Sequence, residues 1–511
     1  MRFALCVSLL MAAVLGGCAS LPPLEIRSAS QAIEAPAASR LRAGIEPLAA
    51  RHPQESGIYP LKDGPGALAA RVALLNAAVS SIDVQYYIWH DDTTGGLMFA
   101  ALLQAADRGV RVRLLLDDLT TRGGLDSTLA ALGAHPNVEV RLFNPFRQRS
   151  FRSLGFLTDF SRLNRRMHNK SLTVDGVATI IGGRNIADEY FQAGDGFGYI
   201  DLDVLAIGTV VSEVSRSFDE FWHSDSSYPA SLLLKPAQLE DRTRLASLGE
   251  RARNAPGADR YIRAVHDSQL ARDLATGHLP FTWAHTYLVV DDPAKGLGKS
   301  AKGTDLEQRL EQRLHHRPNQ EFLMVSPFFV PGTRGRDMLI GMAQRGVSLR
   351  VLTNGAESTD VDPACAAYRT YRKDLLKSGI ELFELRRASG REHRDEMHGG
   401  PASLHAKTFG IDRAQIYVGS FNFDPRSANL NTELGLVIDS PELASALSRG
   451  FEDVVPLIAY QLELDRGGDI VWLERTEGSA EPVRLTHEPG AGFWRRVWFG
   501  FLAILPIEGQ L

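Results

Sequence analysis

Two short runs in this chain carry the residue types that phosphodiester chemistry needs. The first is His168-Asn169-Lys170-Ser171-Leu172-Thr173-Val174-Asp175, followed by Gly182-Gly183-Arg184-Asn185. The second is His405-Ala406-Lys407-Thr408-Phe409-Gly410-Ile411-Asp412, followed by Gly419-Ser420-Phe421-Asn422. A neutral imidazole can attack phosphorus and hold it covalently, and a protonated one can give its proton to a departing alcohol. Histidine suits both tasks because its ordinary pKa lies near neutrality. Lys170, Lys407, Asn185 and Asn422 offer the positive charge and amide donors that a phosphate requires. Asp175 and Asp412 close the two motifs and complete the expected catalytic set. Each histidine also needs a carboxylate on its other ring nitrogen. Glu433 is the candidate in the second run, and Asp201 or Asp203 in the first. Spacing does not say which histidine each would serve.

Such residues act together only if strands aim them. In an extended strand, side chains at i and i+2 share a face. His and Lys at that spacing therefore point into one pocket, while Leu172 and Val174, or Phe409 and Ile411, are free to pack. Ala178–Ile181 and Gln415–Val418 read as return strands that bring Asn185 and Asn422 back to the site. A common offset of 237 positions carries His168 onto His405, Lys170 onto Lys407, Asp175 onto Asp412 and Asn185 onto Asn422. The same offset carries Ala106-Asp107-Arg108-Gly109-Val110 onto Ala343-Gln344-Arg345-Gly346-Val347. One register held over two separated stretches marks an internal duplication. Strand, helix and strand follow in order from Ser81 to Leu116, which suggests a βαβ unit. The expected fold is α/β: two similar lobes, each a mixed sheet flanked by helices, with the active site at their interface.

The lobes are placed at 58–230 and 301–462, with a connector at 231–300 and a separate tail at 463–511. The tail ends in Phe493-Trp494-Arg495-Arg496-Val497-Trp498-Phe499, which suits either a membrane interface or a helix docked on the core. Residues 1–17 have a basic start, an apolar run and small residues before Cys18, as a secretory signal does. Leu15-Gly16-Gly17-Cys18 resembles a bacterial lipobox, with Cys18 as the lipidated residue and 18–57 as a loose tether. Ala19 after the cysteine points to the outer membrane, facing the periplasm. Of the three cysteines, Cys6 and Cys18 lie in this leader, so Cys365 has no internal disulfide partner and reads as a buried small side chain. A net charge of −5 gives no general attraction to nucleic acid, which weighs against a nuclease.

The paired motifs resemble the phospholipase D superfamily. The strings Asp83-Val84-Gln85-Tyr86-Tyr87-Ile88-Trp89, Arg141-Leu142-Phe143-Asn144-Pro145-Phe146 and Leu163-Asn164-Arg165-Arg166-Met167 narrow the likeness. With the ending Leu505-Pro506-Ile507-Glu508 they are similar to bacterial cardiolipin synthases of the C type, from about residue 58 to the C-terminus. The resemblance implies a two-step transfer that uses no metal and no cofactor. His168 would be the nucleophile, and His405 the acid and then the base. The substrates implied are phospholipids at a membrane surface: phosphatidylglycerol, with phosphatidylethanolamine as a further candidate. Hydrolysis to phosphatidic acid on the same residues is the nearest alternative, and an inactive lipid-binding envelope protein is a more distant one.

Other chemistry-bearing residues read more plainly. His90-Asp91-Asp92 ends a strand and caps the next helix rather than binding a metal. Asp117-Asp118 and Asp291-Asp292 read as turn residues, and His315-His316 as a solvated helix end. Gly298-Lys299-Ser300 is no P-loop, because the earlier glycine it requires falls on Pro293. Arg165-Arg166 is left between a phosphate contact and a solvent-facing role, while Trp89, Trp222 and Trp283 are assigned to the core.

Overall fold

The computed structural model describes residues 21–511, apart from 25–26, 35, 37–38, 122–123, 150–151, 193–197, most of 256–277, 302, 315–316, 388–401 and 480. The leader with Cys6 and Cys18, and the pair His315-His316, lie outside the described residues.

Among the described residues two large mixed sheets form, of nine and ten strands. At the centre of the first, Ser81–Tyr86 runs parallel to Arg111–Asp117, which runs parallel to Val138–Phe143. On its other side Ser81–Tyr86 pairs antiparallel with Ser171–Val174, the strand that follows His168 and Lys170. The second sheet repeats this order. Glu321–Val325 is parallel to Ser348–Asn354, then Glu381–Leu385, and antiparallel to Lys407–Ile411. Both motifs thus enter their sheets beside the first strand of a parallel trio. The parallel strands are buried on both faces, as helices packed over such a sheet require.

The motif hairpins turn at Asp175 and Asp412, both left-handed, with φ of 54° and 51°. Asp tolerates that conformation because its short polar side chain bonds locally. Asp175 accepts the amides of Val79, Ser80 and Ser81 and the Ser80 hydroxyl. Asp412 accepts those of Asn319, Gln320 and Glu321. Each aspartate therefore staples its hairpin to the start of the neighbouring strand, five residues past the lysine. At ~3.3 Å per residue it stands roughly 15 Å from the lysine. In the structure both Asp175 and Asp412 serve as posts that hold their hairpins.

The two sheets meet along one apolar seam. Ile181, Val204 and Ala206 of the first pack in the same cluster as Ile416, Val418, Leu434, Leu436 and Ile438 of the second. The stretch read as a connector is drawn into both sheets: Thr282–Ala284 pairs with Ser56–Leu61 of the first, and Thr286–Val290 with Leu434–Ile438 of the second. Described residues of the stretches 18–57 and 463–511 also join the fold. Helix Arg40–Ala49 buries Leu41 and Ile45, one turn apart on one face, and Ser39 bonds Asp175. Strands Ile470–Glu474 and Val483–Leu485 extend the second sheet because Val471, Trp472 and Leu473 supply buried apolar side chains.

Asp175→Ala is expected to lower unfolding free energy by roughly 1–3 kcal/mol, since it leaves the buried Ser81 amide and the partly buried Ser80 amide without their acceptor. Urea titration checks this. The folded fraction should keep its specific activity, whereas a catalytic Asp175 would lose it without loss of stability.

Candidate active site

His168 and His405 stand at the mouths of their hairpins, and each is gripped by the opposite lobe. The amide of His168 donates to the carbonyl of Thr432 (2.9 Å), and that of Thr432 to the carbonyl of Arg166 (2.9 Å). On the other side Ala402–Leu404 pairs parallel with Gly198–Ile200, and His405 donates to the carbonyl of Ile200 at 2.8 Å. Thr432 precedes Glu433 and Ile200 precedes Asp201, so the two contacts are mirror copies. They deliver each carboxylate to the other lobe's histidine. His168 Nδ1 lies 2.8 Å from Glu433 Oε2, and His405 Nδ1 lies 2.6 Å from Asp201 Oδ2. Asp203, the alternative in the first lobe, instead pairs with Arg71 (2.8 Å) and Arg184 (3.3 Å).

Both histidines, both lysines, Asn185, Asn422, Asp201 and Glu433 are buried. Lys170 donates to the carbonyl of His168 at 2.6 Å. Lys407 donates to the carbonyl of His405 and lies 3.0 Å from its Nδ1. Asn185 Oδ1 accepts the Ile88 amide, which fixes the side chain. Asn422 Oδ1 and Asn169 Nδ2 are buried without a hydrogen-bond partner. Tyr87 stands edge-on to His168, and Tyr190 edge-on to His405, each with ring centres 5.0 Å apart. Gly183 is required here, since a Cβ would fall 2.1 Å from Asp201 Oδ1.

Burial sets the protonation of the cluster. It drives the His168 pKa well below the usual range, helped by the charges of Lys170 and Lys407. His405 is lowered to about 4 by burial and Lys407, against the pull of Asp201. Both lysines lower both rings, so the charges of the two motifs act on one another across the seam. Burial also lowers Lys170, and brings Lys407 to about 8. Burial alone would raise Asp201, but His405, Lys407 and Arg184 outweigh it and hold the carboxylate ionised, near 2. Glu433 goes the other way: burial lifts it to about 7, although Lys170 and Ser420 oppose the rise. With a carboxylate accepting at Nδ1, the proton there belongs to the ring, and Nε2 is left for chemistry.

Supporting residues escaped the motif reading. Asp117 accepts the amide of Met167 (2.8 Å) and pairs with Arg166 (3.0 Å), so it holds the backbone one residue before His168. Its counterpart under the 237-residue offset is Asn354, which brackets Leu404, one residue before His405, at 2.9 Å on both its amide and carbonyl. Extending that offset would have found the pair. Arg166 is buried on Asp117, so the solvent-facing role does not hold for it. Asp291 accepts the amide of Glu433 (2.8 Å) and pairs with Lys295 (3.0 Å), more than a turn residue would do. Asp92 does cap its helix, accepting the Gly95 amide. Trp89 and Trp222 are core, while Trp283 is half-buried and stacks on His52. Cys365 is buried, and burial pushes its thiol to about 12, which leaves it inert.

Two sheets of one topology, joined where paired His-x-Lys motifs meet, define a phospholipase D-like protein. The chain belongs to the family described as "Cardiolipin synthase, PLD-like domain", whose model matches residues 72–222 and 312–455. It is 46% identical over 480 residues to cardiolipin synthase C of Escherichia coli, covering 92% of this chain and 100% of that one. It is 33% identical over 462 residues to an uncharacterized protein of Helicobacter pylori, covering 89% of each. Among solved structures, phosphatidylserine synthase of Haemophilus influenzae matches with a TM-score of 0.52 at 14% identity, over 81% of this chain and 91% of that one, a likeness of fold.

Glu433→Gln keeps the shape while removing a buried ionisable group. Because the folded-state pKa is raised, from 4.5 to about 7, the native carboxylate costs stability as pH climbs through that window. The variant should gain about 2–3 kcal/mol over wild type above pH 7 and nothing below about pH 4.5. Thermal unfolding at pH 5 and pH 8 reads the difference.

Proposed function

We propose that the chain is a phosphatidyltransferase that makes cardiolipin from two phospholipids through a phosphatidyl-histidine intermediate. The observation that carries this reading is the crossed pair of contacts in which each imidazole binds a carboxylate of the opposite lobe through Nδ1 and keeps Nε2 to react. His168 Nε2 attacks the phosphorus of phosphatidylglycerol, and the bond to the headgroup glycerol breaks. His405 gives that glycerol its proton. The headgroup hydroxyl of a second phospholipid then attacks the phosphorus, His405 takes its proton, and the nitrogen–phosphorus bond breaks to restore His168. Lys170, Lys407, Asn185 and Asn422 hold the phosphoryl oxygens.

The asymmetry of the carboxylates favours this assignment of roles. Asp201 stays ionised beside His405 and stabilises its imidazolium, as an acid needs. Glu433 is half-protonated near neutrality and supports an imidazolium on His168 less, so that ring stays neutral and nucleophilic. The free site holds both rings neutral. The anionic phosphodiester, once bound, offsets the two ammonium groups and raises His405 toward protonation. Phosphatidylglycerol is the donor on this reading, with phosphatidylethanolamine as a further substrate, and Cys18 carries the acyl chains that hold the enzyme to the outer membrane, facing the periplasm. No helix among the described residues is long and apolar enough to cross a membrane.

Labelled phosphatidylglycerol tests the proposal. The expected product is diphosphatidylglycerol with release of glycerol, and phosphatidic acid alone would assign the chain to hydrolysis. His168→Ala should reduce turnover by about 10³-fold or more and abolish the covalent adduct. Full activity in the double variant His168→Ala/His405→Ala would refute the mechanism.

A further inference from the structure

Helix Phe493–Ala503 docks by one narrow stripe: Phe499 and Leu502 are buried against Cys365 and Ala366 of helix Asp362–Arg369. Its other face carries Phe493, Trp494, Val497, Trp498 and Phe501 into solvent, continued by Ile504. Trp494 is 79% and Ile504 78% exposed. A run of six large apolar side chains on one exposed face exceeds the scattered apolar residues of an ordinary surface. Residues 489–507 hold two arginines and no acidic residue, in a chain whose net charge is −5. Arg495 pairs with Asp362, and Arg496 bonds the carbonyl of Ala491.

The chain beyond this helix runs to the active-site seam. Glu508 accepts the Tyr371 hydroxyl (2.6 Å), and the carbonyls of Gln510 and Leu511 accept from Arg426 (2.8 and 2.7 Å). The side chain of Gln510 meets Asn164, which Arg426 also grips at 3.0 Å through its carbonyl. Asn164 lies four residues before His168, and Arg426 is close enough to lower the His168 pKa. Asn164 also ends a second exposed apolar segment. Helices Arg152–Thr158 and Phe160–Leu163 expose Leu154, Leu157 (82%) and Phe160. Both apolar segments thus converge on one joint beside the nucleophile proposed above.

We propose that these two segments form a bilayer-docking surface, in which the C-terminal helix lies in the headgroup region of an anionic phospholipid membrane and sets the active-site mouth at its surface. The inference rests on the proposed function, because phospholipid substrates supply the occupant. Tryptophan and arginine flanking aliphatic side chains is the composition of an interfacial helix. A protein partner would gain nothing from an apolar patch placed at the mouth of a site whose substrates reside in lipid.

The test uses the full-length chain with vesicles of phosphatidylcholine and phosphatidylglycerol, some carrying bromine on their acyl chains. Trp494 and Trp498 should be quenched by the brominated lipid, and Trp494→Phe/Trp498→Phe should lose that quenching yet still bind. Trp494→Ala/Trp498→Ala/Phe501→Ala should lose about tenfold or more of its turnover on vesicles. It should keep its turnover on dihexanoyl-phosphatidylglycerol below the micelle concentration. Unquenched tryptophans, or equal turnover on vesicles by wild type and variant, would overturn the surface, as would a change of oligomeric state in the variant without a change in vesicle turnover. A wild type inactive on the monomeric lipid would count against the reading of the site instead.

Discussion

Everything at this site depends on an exchange across the seam. Each histidine sits on its own lobe's hairpin but is held by a carboxylate from the other lobe: His168 by Glu433 and His405 by Asp201. The exchange is made by backbone as well as side chain, through the bonds of His168 with Thr432 and of His405 with Ile200. Neither lobe alone can therefore orient its imidazole. A duplicated fold ordinarily yields two separate half-sites. Here the shared apolar seam, with Ile181 and Val204 packed among Ile416 and Leu434, forces the halves to complete one another.

That closure has an electrostatic consequence. Burial, and after it the charges of Lys170 and Lys407, lowers both imidazoles, so the free site sheds positive charge from them first. The carboxylates are not equivalent. Both are fully buried, but His405, Lys407 and Arg184 outweigh burial at Asp201, which stays charged, whereas Lys170 and Ser420 do not outweigh it at Glu433, which titrates near neutrality. Two rings related by near-symmetry thereby acquire different proton affinities, which is the property a nucleophile and an acid must not share.

Asp117 and Asn354 perform the same task on the residues before the two histidines, yet one is an acid paired with Arg166 and the other a neutral amide. The geometric function, to fix the hairpin entrance by bonds to backbone, survived duplication while the charge did not. Asp175 and Asp412 retained both identity and task, because the left-handed turn and the row of amides beneath it leave room for few other side chains.

The sequence by itself determined the duplication, the strand polarity of the motif hairpins and the identity of the buried histidines, lysines and asparagines. Those are matters of residue type and local period, which a linear string carries. It also contained Glu433 and Asp201 as candidates. Which histidine each one serves was decided only by the tertiary structure, since the pairing spans 265 residues in one case and 204 in the other. The same holds for the bonds of the motif aspartates, whose amide partners lie 95 and 92 residues away in the chain. Composition gives no sign that Leu41, Ile45 and Trp472 are buried, because packing against a distant surface leaves no periodic trace in a short segment. Pairings between lobes depend on how two sheets pack, and packing is a property of surfaces that exist only after each lobe has folded.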